Sequence, residues 1–570
     1  YGPLGFLHAP LVAFTWPAVL SAIHLLALRL ALAVSVIWVV RRRLNLAVAV
    51  AMAFVVISLN GVGTAVPLAF IWCAVALGED SLAPVARRVV VLGGGIVSAV
   101  ELLVKLNEGL LIAVMCLAAT LAMGGRRSRN LATFGIVLAG SLAVLWFAAG
   151  QGLSNVGDFL ANSIELLRGY SSAMQEAGAA WTAVAALVIW AIALMAALLA
   201  GEGTPIPRRI GLLVLVLGLG FVAWKEGFVR QSPSHMAICF GWMLAPWIGL
   251  RWQGRNGWPL VAGFAAVTVL YFASTGFRPA DTFRPIDSAT TMASDLRTVF
   301  DPGRRRAVRD RASIAMRSAY ALDLRSTALL VGKTVAVWPW ESGIAWAYGL
   351  DWKPLPTSRT TNAYTPRLDE LTARFLASPD GPQRVLRHAD IYTQAAILPK
   401  ATPISTDGRY GAYDAPAATL ALLCNFNALR TTPRYQVLGR VADRCGPERP
   451  LGSTTAAYGQ PVRVPKPPGP HQIVFVRVHG AAPSGLEALR TFLYRPPIRY
   501  IVFDGTKRYR LVPGVAQDGL ILEAPDDTDF PRPFALAPGA RTIELRKAAG
   551  PLSSDHELDF DFYAMRVRPP

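Results

Sequence analysis

Ten apolar stretches divided by short polar gaps fill the first 276 residues, and five of the gaps carry clustered arginines: Arg41–Arg43, Arg87–Arg88, Arg126–Arg129, Arg208–Arg209 and Arg251–Arg255. The clusters fall in every second gap. Loops on the cytoplasmic side of a membrane are enriched in Lys and Arg, so the alternation marks each basic gap as cytoplasmic and each intervening gap as outer. Everything after residue 276 is then extracytoplasmic, and Tyr1 starts outside, ahead of an inward-going helix. Because the chain opens on Tyr rather than Met, an earlier helix and part of an outer loop are expected ahead of it.

A hydrophobic fraction of 53% with a mean hydropathy of +0.38 excludes an ordinary soluble chain. Helices are expected over residues 11–40, 44–59, 62–78, 88–106, 109–125, 131–150, 180–201, 210–225, 236–251 and 258–276. Several fall short of the ~20 residues of a perpendicular span, so flanking residues complete them or the bilayer thins. The pair 44–59 and 62–78 turns at Asn60-Gly61 with almost no loop, a hairpin that packs inside a bundle more easily than against lipid.

The net charge of +19 raises the question of nucleic acid, but much of the excess sits in the cytoplasmic gaps, where topology accounts for it. A second share, Arg297, Arg304–Arg306, Arg309, Arg311 and Arg317, lies on a helical stretch suited either to anionic headgroups or to water. Of the five Cys, Cys73, Cys116 and Cys239 fall in apolar spans, whereas Cys424 and Cys445 are the pair left in an oxidising compartment and are expected to be bridged. There is no metal-type Cys/His spacing and no phosphate-cradling glycine loop. Gly93-Gly94-Gly95 lies in an apolar helix and suits close helix packing.

After residue 276 the pattern predicts an extracytoplasmic mixed α/β domain over 277–454, with a strand at Thr334–Val337 and a helix at Pro366–Leu376, and a β-sandwich over 455–570. The Pro-rich stretch 459–470 reads as a linker between them. Beyond it Ile473–Val478, Arg499–Phe503, Tyr509–Val512, Leu520–Glu523, Arg541–Leu545 and Leu558–Val567 alternate as strands between Gly, Pro and Asp turns. The fold class expected is a polytopic α-helical membrane bundle over 1–276 carrying these two outer domains.

Charges inside apolar spans are costly, so the few present are informative. Glu101, Lys105 and Glu108 in ELLVKLNEG are spaced by four and three, which places them on one helix face near its outer end, as a polar site or as an ion-paired packing patch. The outer gap WKEGFVRQSPSH adds Lys225, Glu226, Arg230 and His235, donors for a lipid phosphate or snorkelling interfacial cations. The long gap from Gln151 to Ala179 reads as an interfacial helix with Asp158, Asn162, Glu165 and Arg168. In the outer domain Trp338, Trp340, Trp346, Tyr348 and Trp352 crowd around Glu341 and Asp351, and DGRYGAYD forms a polar turn; both suit sugar rings and both suit core packing.

This layout, with the segments YGPLGFL, KLNEG, KEGFVR and GYSSAM, resembles the GT-C class of integral-membrane glycosyltransferases and a group of large bacterial membrane proteins near it. The β-rich C-terminus is similar to carbohydrate-binding modules of actinobacterial arabinosyltransferases. The resemblance implies transfer of a sugar from a polyprenyl-phosphate donor to a cell-envelope glycan in the plasma membrane. Glu101, Glu108 and Asp158 are then the candidate catalytic carboxylates, and Lys105, Lys225, Arg230 and His235 the candidate phosphate cradle. Trp338, Trp340, Glu341 and Trp352 are the candidate sugar contacts. Membrane lipids are expected partners and nucleic acid is not; no cofactor is required, with a divalent metal ion left as an option. GT-C enzymes keep a catalytic acid in their first outer loop, which here would precede Tyr1. A glycan-binding or scaffolding membrane protein is the alternative, and a transporter is disfavoured because the hydropathy shows no inverted repeat.

The topology has a direct check. A Cys introduced in the 126–130 gap should be labelled only from the cytoplasmic side, and labelling only from outside intact cells contradicts the assignment.

Overall fold

The computed structural model describes residues 2–8, 15–60, 63–78, 83–199, 204–252, 257–389, 405–524, 530–531, 533–548 and 556–569. The positions of Tyr1, Gly61 and Arg255 in the reading above therefore lie outside the described residues. Two compact units form: Tyr1–Leu160 with Glu176–Ala307, and Ala161–Gln175 with Val308–Pro570.

The first unit is helical. Its apolar helices are Thr15–Arg43, Leu46–Leu59, Ala65–Gly78, Leu106–Ala122, Arg127–Ala148, Ala180–Leu199, Ile206–Val229, Pro233–Trp242 and Trp258–Thr275, and a further run, Ala83–Arg88, Val89–Gly93 and Gly94–Val104, carries a π-helical turn at its centre. Among the described residues, five helices are long and apolar enough to cross a membrane: Trp16–Arg43, Arg127–Ala148, Ala180–Leu199, Ile206–Val229 and Trp258–Thr275. Only 11% of the apolar window in Arg127–Ala148 is buried by protein. A helix that is apolar all round and mostly uncovered needs lipid as its solvent.

Ala65–Gly78, by contrast, is buried along nearly its whole length. At 14 residues it is about 21 Å long, too short for a ~30 Å hydrocarbon layer, so burial inside the bundle is its stable place. Gly94 and Gly95 allow the packing around it: a Cβ at Gly94 would come 2.7 Å from Cys116 Sγ, and one at Gly95 would come 2.9 Å from Val137 Cγ1. Arg43 donates to the carbonyls of Ile248 (2.6 Å) and Leu250 (2.7 Å), which joins the Arg41–Arg43 and Arg251 ends of the bundle.

The second unit is built on sheets. Strands β1 (Thr334–Trp338), β2 (Asp351–Trp352), β3 (Arg384–His388), β4 (Phe426–Thr431) and β5 (Tyr435–Arg440) form a mixed sheet in the order β2-β1-β3-β5-β4. It is covered on both faces, and the alternation is strict: Val335, Val337, Leu386 and Val437 enter one core, whereas Ala336, Trp338, Val385 and Leu438 enter the other with the helices Pro366–Ala377 and Pro416–Asn425.

Strands β6 (Arg449–Ala457), β7 (Val462–Arg463), β8 (Gln472–His479), β9 (Arg499–Phe503), β10 (Lys507–Arg510), β11 (Leu520–Glu523), β12 (Thr542–Lys547) and β13 (Glu557–Arg566) make two antiparallel sheets, β10-β9-β12-β7 and β11-β8-β13-β6. Val474, Val476, Phe560 and Phe562 meet Ile501, Phe503, Ile543 and Leu545 in a shared core, the inside of a sandwich. The other face of β8, Ile473 and Phe475, packs with Leu422 and Phe426 of the α/β layer. The Pro-rich stretch 459–470 is therefore not a tether between independent folds. It carries β7 and lies inside the sandwich, because β6 precedes it and pairs with β13.

Cys424 and Cys445 are bridged (S–S 1.99 Å), tying the end of the helix Pro416–Asn425 to the segment that pairs with Val567 after β13. The bridge closes a loop of 21 residues, worth about 3 kcal/mol in lost unfolded-chain entropy. Replacing both Cys with Ser should lower the thermal midpoint of the sheet-rich unit by several degrees, measured against the same protein under non-reducing conditions.

Candidate functional site

The site begins with a break in a helix. The run ending at Val104 stops at Lys105, whose backbone is extended (φ −147°, ψ 105°), and the next helix starts at Leu106. So tight a corner requires Gly109, where a Cβ would sit 2.1 Å from Leu102 N. Glu101 and Glu108 thus belong to different helices and do not share the single helix face their spacing predicted.

The break turns Lys105 into the centre of a buried ion cluster. Its Nζ donates to Glu108 Oε1 (2.7 Å) and to Glu226 Oε1 (3.0 Å), and Asn107 Nδ2 also donates to Glu226 (2.7 Å). Glu226 comes from the end of the helix Ile206–Val229, far along the sequence. Beyond it the chain extends: Glu176 and Arg230 pair as a β-bridge, with Arg230 Nε 3.3 Å from Glu176 Oε2. His235 follows on the helix Pro233–Trp242, with Ser232 Oγ 2.8 Å from its Nδ1, and lies within electrostatic range of Glu226, Arg230 and Lys105. Lys225 is half-buried on the same helix as Glu226.

Two features suit chemistry. Glu108 is buried, and its Oε2 accepts no hydrogen bond among the described residues; it faces Gly63, whose carbonyl takes the Trp242 indole N–H at 3.1 Å. The Arg230–Glu176 pair is partly exposed, and such pairs exchange partners at little cost. Glu176 was missed in the sequence, where it reads as one more polar residue of a loop.

Glu101, one helical turn before the corner, turns away from Lys105. His8 Nε2 lies 3.3 Å from its Oε2 and His24 Nε2 lies 3.4 Å from its Oε1, with the two rings stacked at 5.9 Å. Neither histidine was a candidate in the sequence, where no spacing connects them. The segment bearing His8 is pinned by Gly2 N to Val104 O (2.9 Å), Leu4 N to Leu103 O (3.0 Å) and Ser21 Oγ to Leu7 O (2.8 Å).

Other candidates fall apart. Asp158 is exposed in the first turn of the helix Asn155–Ala173. Trp338 is buried in the sheet core, Trp340 donates to Glu341 Oε1 (2.8 Å) with Tyr320 on Oε2 (3.1 Å), and Trp352 is exposed on β2. The aromatic group is not one sugar platform, because strand alternation sends Trp338 inward. The DGRYGAYD turn is a clamp: buried Arg409 donates to the carbonyls of Thr361 (3.0 Å) and Ala173 (2.7 Å), Arg510 also donates to Ala173 O (2.7 Å), and Asp414 lies 3.4 Å from Arg409. Two guanidinium groups thus meet at the last carbonyl of the helix Asn155–Ala173, at the negative end of its dipole.

A second acidic site lies in the sheet-rich unit. Asp369 accepts from the N–H groups of Ala417 (2.8 Å) and Ala418 (3.0 Å), capping the helix Pro416–Asn425, while Asp518 stands against it in a cleft lined by Arg367, Glu370, Glu448 and Arg477. Burial and then the Asp369 charge push Asp518 up to about 8, and burial raises Asp369 despite its two amide donors. The pair keeps a proton well above the ordinary Asp range.

No protein family, curated protein or solved structure matches the chain.

The retained proton gives a pH signature. An unfolded Asp titrates near about 4, so between there and about 8 the folded state binds the extra proton, and stability falls as pH rises through that window. The slope should approach about 1.4 kcal/mol per pH unit, and Asp518→Asn, whose amide replaces the proton, should flatten it in thermal-melting profiles.

Proposed function

We propose that this chain is a multi-pass plasma-membrane glycosyltransferase that moves a sugar from a polyprenyl-phosphate donor to a cell-envelope glycan on the extracytoplasmic side. One observation carries the reading: a buried carboxylate, Glu108, with one oxygen held by Lys105 and the other unpartnered among the described residues. That is the arrangement of a general base whose second oxygen is kept for an acceptor hydroxyl. Lys105 orients it and stabilises its charge. Arg230 and His235, with Lys225 close by in sequence, supply cationic groups for a departing lipid phosphate, and the partly exposed pairing of Arg230 with Glu176 leaves it able to exchange one carboxylate for another anion.

The helix order supports this placement, since Ile206–Val229 has Arg208 and Arg209 at one end and the cluster at the other. The sandwich supports an acceptor-glycan role for the second unit only by its architecture. The alternative, a glycan-binding scaffold, draws on the saturation of Lys105 by two carboxylates, which is also how a packing patch is satisfied.

The two readings separate on one experiment. Glu108→Gln should abolish glycan transfer while keeping the protein folded, and Arg230→Ala should weaken binding of a polyprenyl monophosphate in nanodiscs by tenfold or more, about 1–3 kcal/mol for a lost charge-assisted bond. Unchanged lipid binding and glycan output in both folded variants would favour the scaffold.

A further inference from the structure

We propose that His8, His24 and Glu101 form a binding site for one divalent transition-metal ion of the zinc class. The three come from separate elements: the pinned N-terminal segment, the helix Thr15–Arg43 and the helix Gly94–Val104. Their nearest donor atoms all lie within 4.8 Å of one another. A tetrahedral ion with bonds of about 2.0–2.1 Å holds its ligand atoms about 3.3–3.4 Å apart. The His8 Nε2 to Glu101 Oε2 distance of 3.3 Å and the His24 Nε2 to Glu101 Oε1 distance of 3.4 Å each match that edge, one at each oxygen of the Glu101 carboxylate.

An imidazole–carboxylate ion pair is the competing account, and the hydrogen-bond geometry weighs against it. Both oxygens of Glu101, both ring nitrogens of His8 and Nε2 of His24 are buried and make no hydrogen bond among the described residues. The side chains of His8 and Glu101 are each 1% exposed. Groups this close and this buried, with no hydrogen bond of ordinary geometry between them among the described residues, suit a cation that draws on the nitrogen and oxygen lone pairs. Ser98, one turn before Glu101, adds a further buried hydroxyl without a partner among the described residues.

The donor chemistry selects the ion. Two imidazoles and one carboxylate suit zinc, or iron in its divalent state, over magnesium and calcium, which take mainly oxygen. Three protein ligands leave a further coordination position for water or for an anionic oxygen such as a phosphate. His24 keeps 16% of its side chain exposed, so the site lies close to the surface of the helical unit. The Gly2, Leu4 and Ser21 bonds hold the His8 segment in place without the ion, so the protein presents the site rather than folding around it.

The inference stands apart from glycosyl transfer, because the metal is counted without any substrate. Full-length protein in detergent, stripped with a chelator and reconstituted with Zn²⁺ or Co²⁺, should retain about one ion per chain, and the Co²⁺ form should show the visible absorption of a tetrahedral site. His8→Ala with His24→Ala should lose the ion, and Glu101→Gln should weaken its retention at least tenfold. His24→Cys should add a thiolate-to-cobalt charge-transfer band, which arises only if position 24 ligates and which needs no loss of function to be read. Substoichiometric metal in the reconstituted native chain, retention unchanged in the folded double variant, or cobalt bound by His24→Cys without that band would each overturn the proposal.

Discussion

The membrane half of this protein is organised around the cost of a buried charge. Lys105 sits where a helix breaks among apolar neighbours, and it is tolerable there only because Glu108 and Glu226 meet it at 2.7 and 3.0 Å. That demand explains features otherwise unconnected. The corner at Lys105 needs Gly109 to admit Leu102, the helix Ile206–Val229 must end where Glu226 reaches the corner, and Asn107 turns to the same carboxylate. Removing Lys105 would leave Glu108 and Glu226 buried without their shared cation, at a cost of about 3–5 kcal/mol. The cluster therefore fixes the mutual register of three helices more tightly than their apolar surfaces, which slide on one another at little cost.

The sheet-rich unit solves its own problem differently. Strand β8 is buried on both faces, with Val474 and Val476 turned to the sandwich interior and Ile473 and Phe475 turned to the α/β layer. The sandwich and the α/β layer consequently share a core, and the disulfide between Cys424 and Cys445 fastens them where the helix Pro416–Asn425 meets the end of β13. Arg409 and Arg510 draw the end of the helix Asn155–Ala173 into the same unit through the carbonyl of Ala173. A turn rich in charge and aromatic rings thus anchors the end of that helix.

How far this was legible in the sequence depends on the range of the interaction. Helix and strand periods act over a few residues, so the apolar helices, Arg499–Phe503 and Leu520–Glu523 could be placed closely, and the two cysteines outside the apolar spans had one available pairing. β6 was not legible because residues 449–457 are mostly exposed and short-chained, and its partner β13 lies about a hundred residues on. The spacing of Glu101, Lys105 and Glu108 misled because a period argument assumes an unbroken helix, and the extended Lys105 removes that assumption.

The division of labour between the two nearby carboxylates follows from the same break. Had the helix run straight through, Glu101, Lys105 and Glu108 would have formed one compensated row along its surface, with no reason for either acid to differ from the other. The corner separates them. Glu108 keeps the ammonium and leaves one oxygen without a partner among the described residues, while Glu101 is handed to two imidazoles and loses access to Lys105. Glu108 has an ammonium on one oxygen, whereas Glu101 has an imidazole nitrogen within 3.4 Å of each of its oxygens. One extended residue thus converts a repeated pattern of like side chains into two environments of different chemistry, about one helical turn apart.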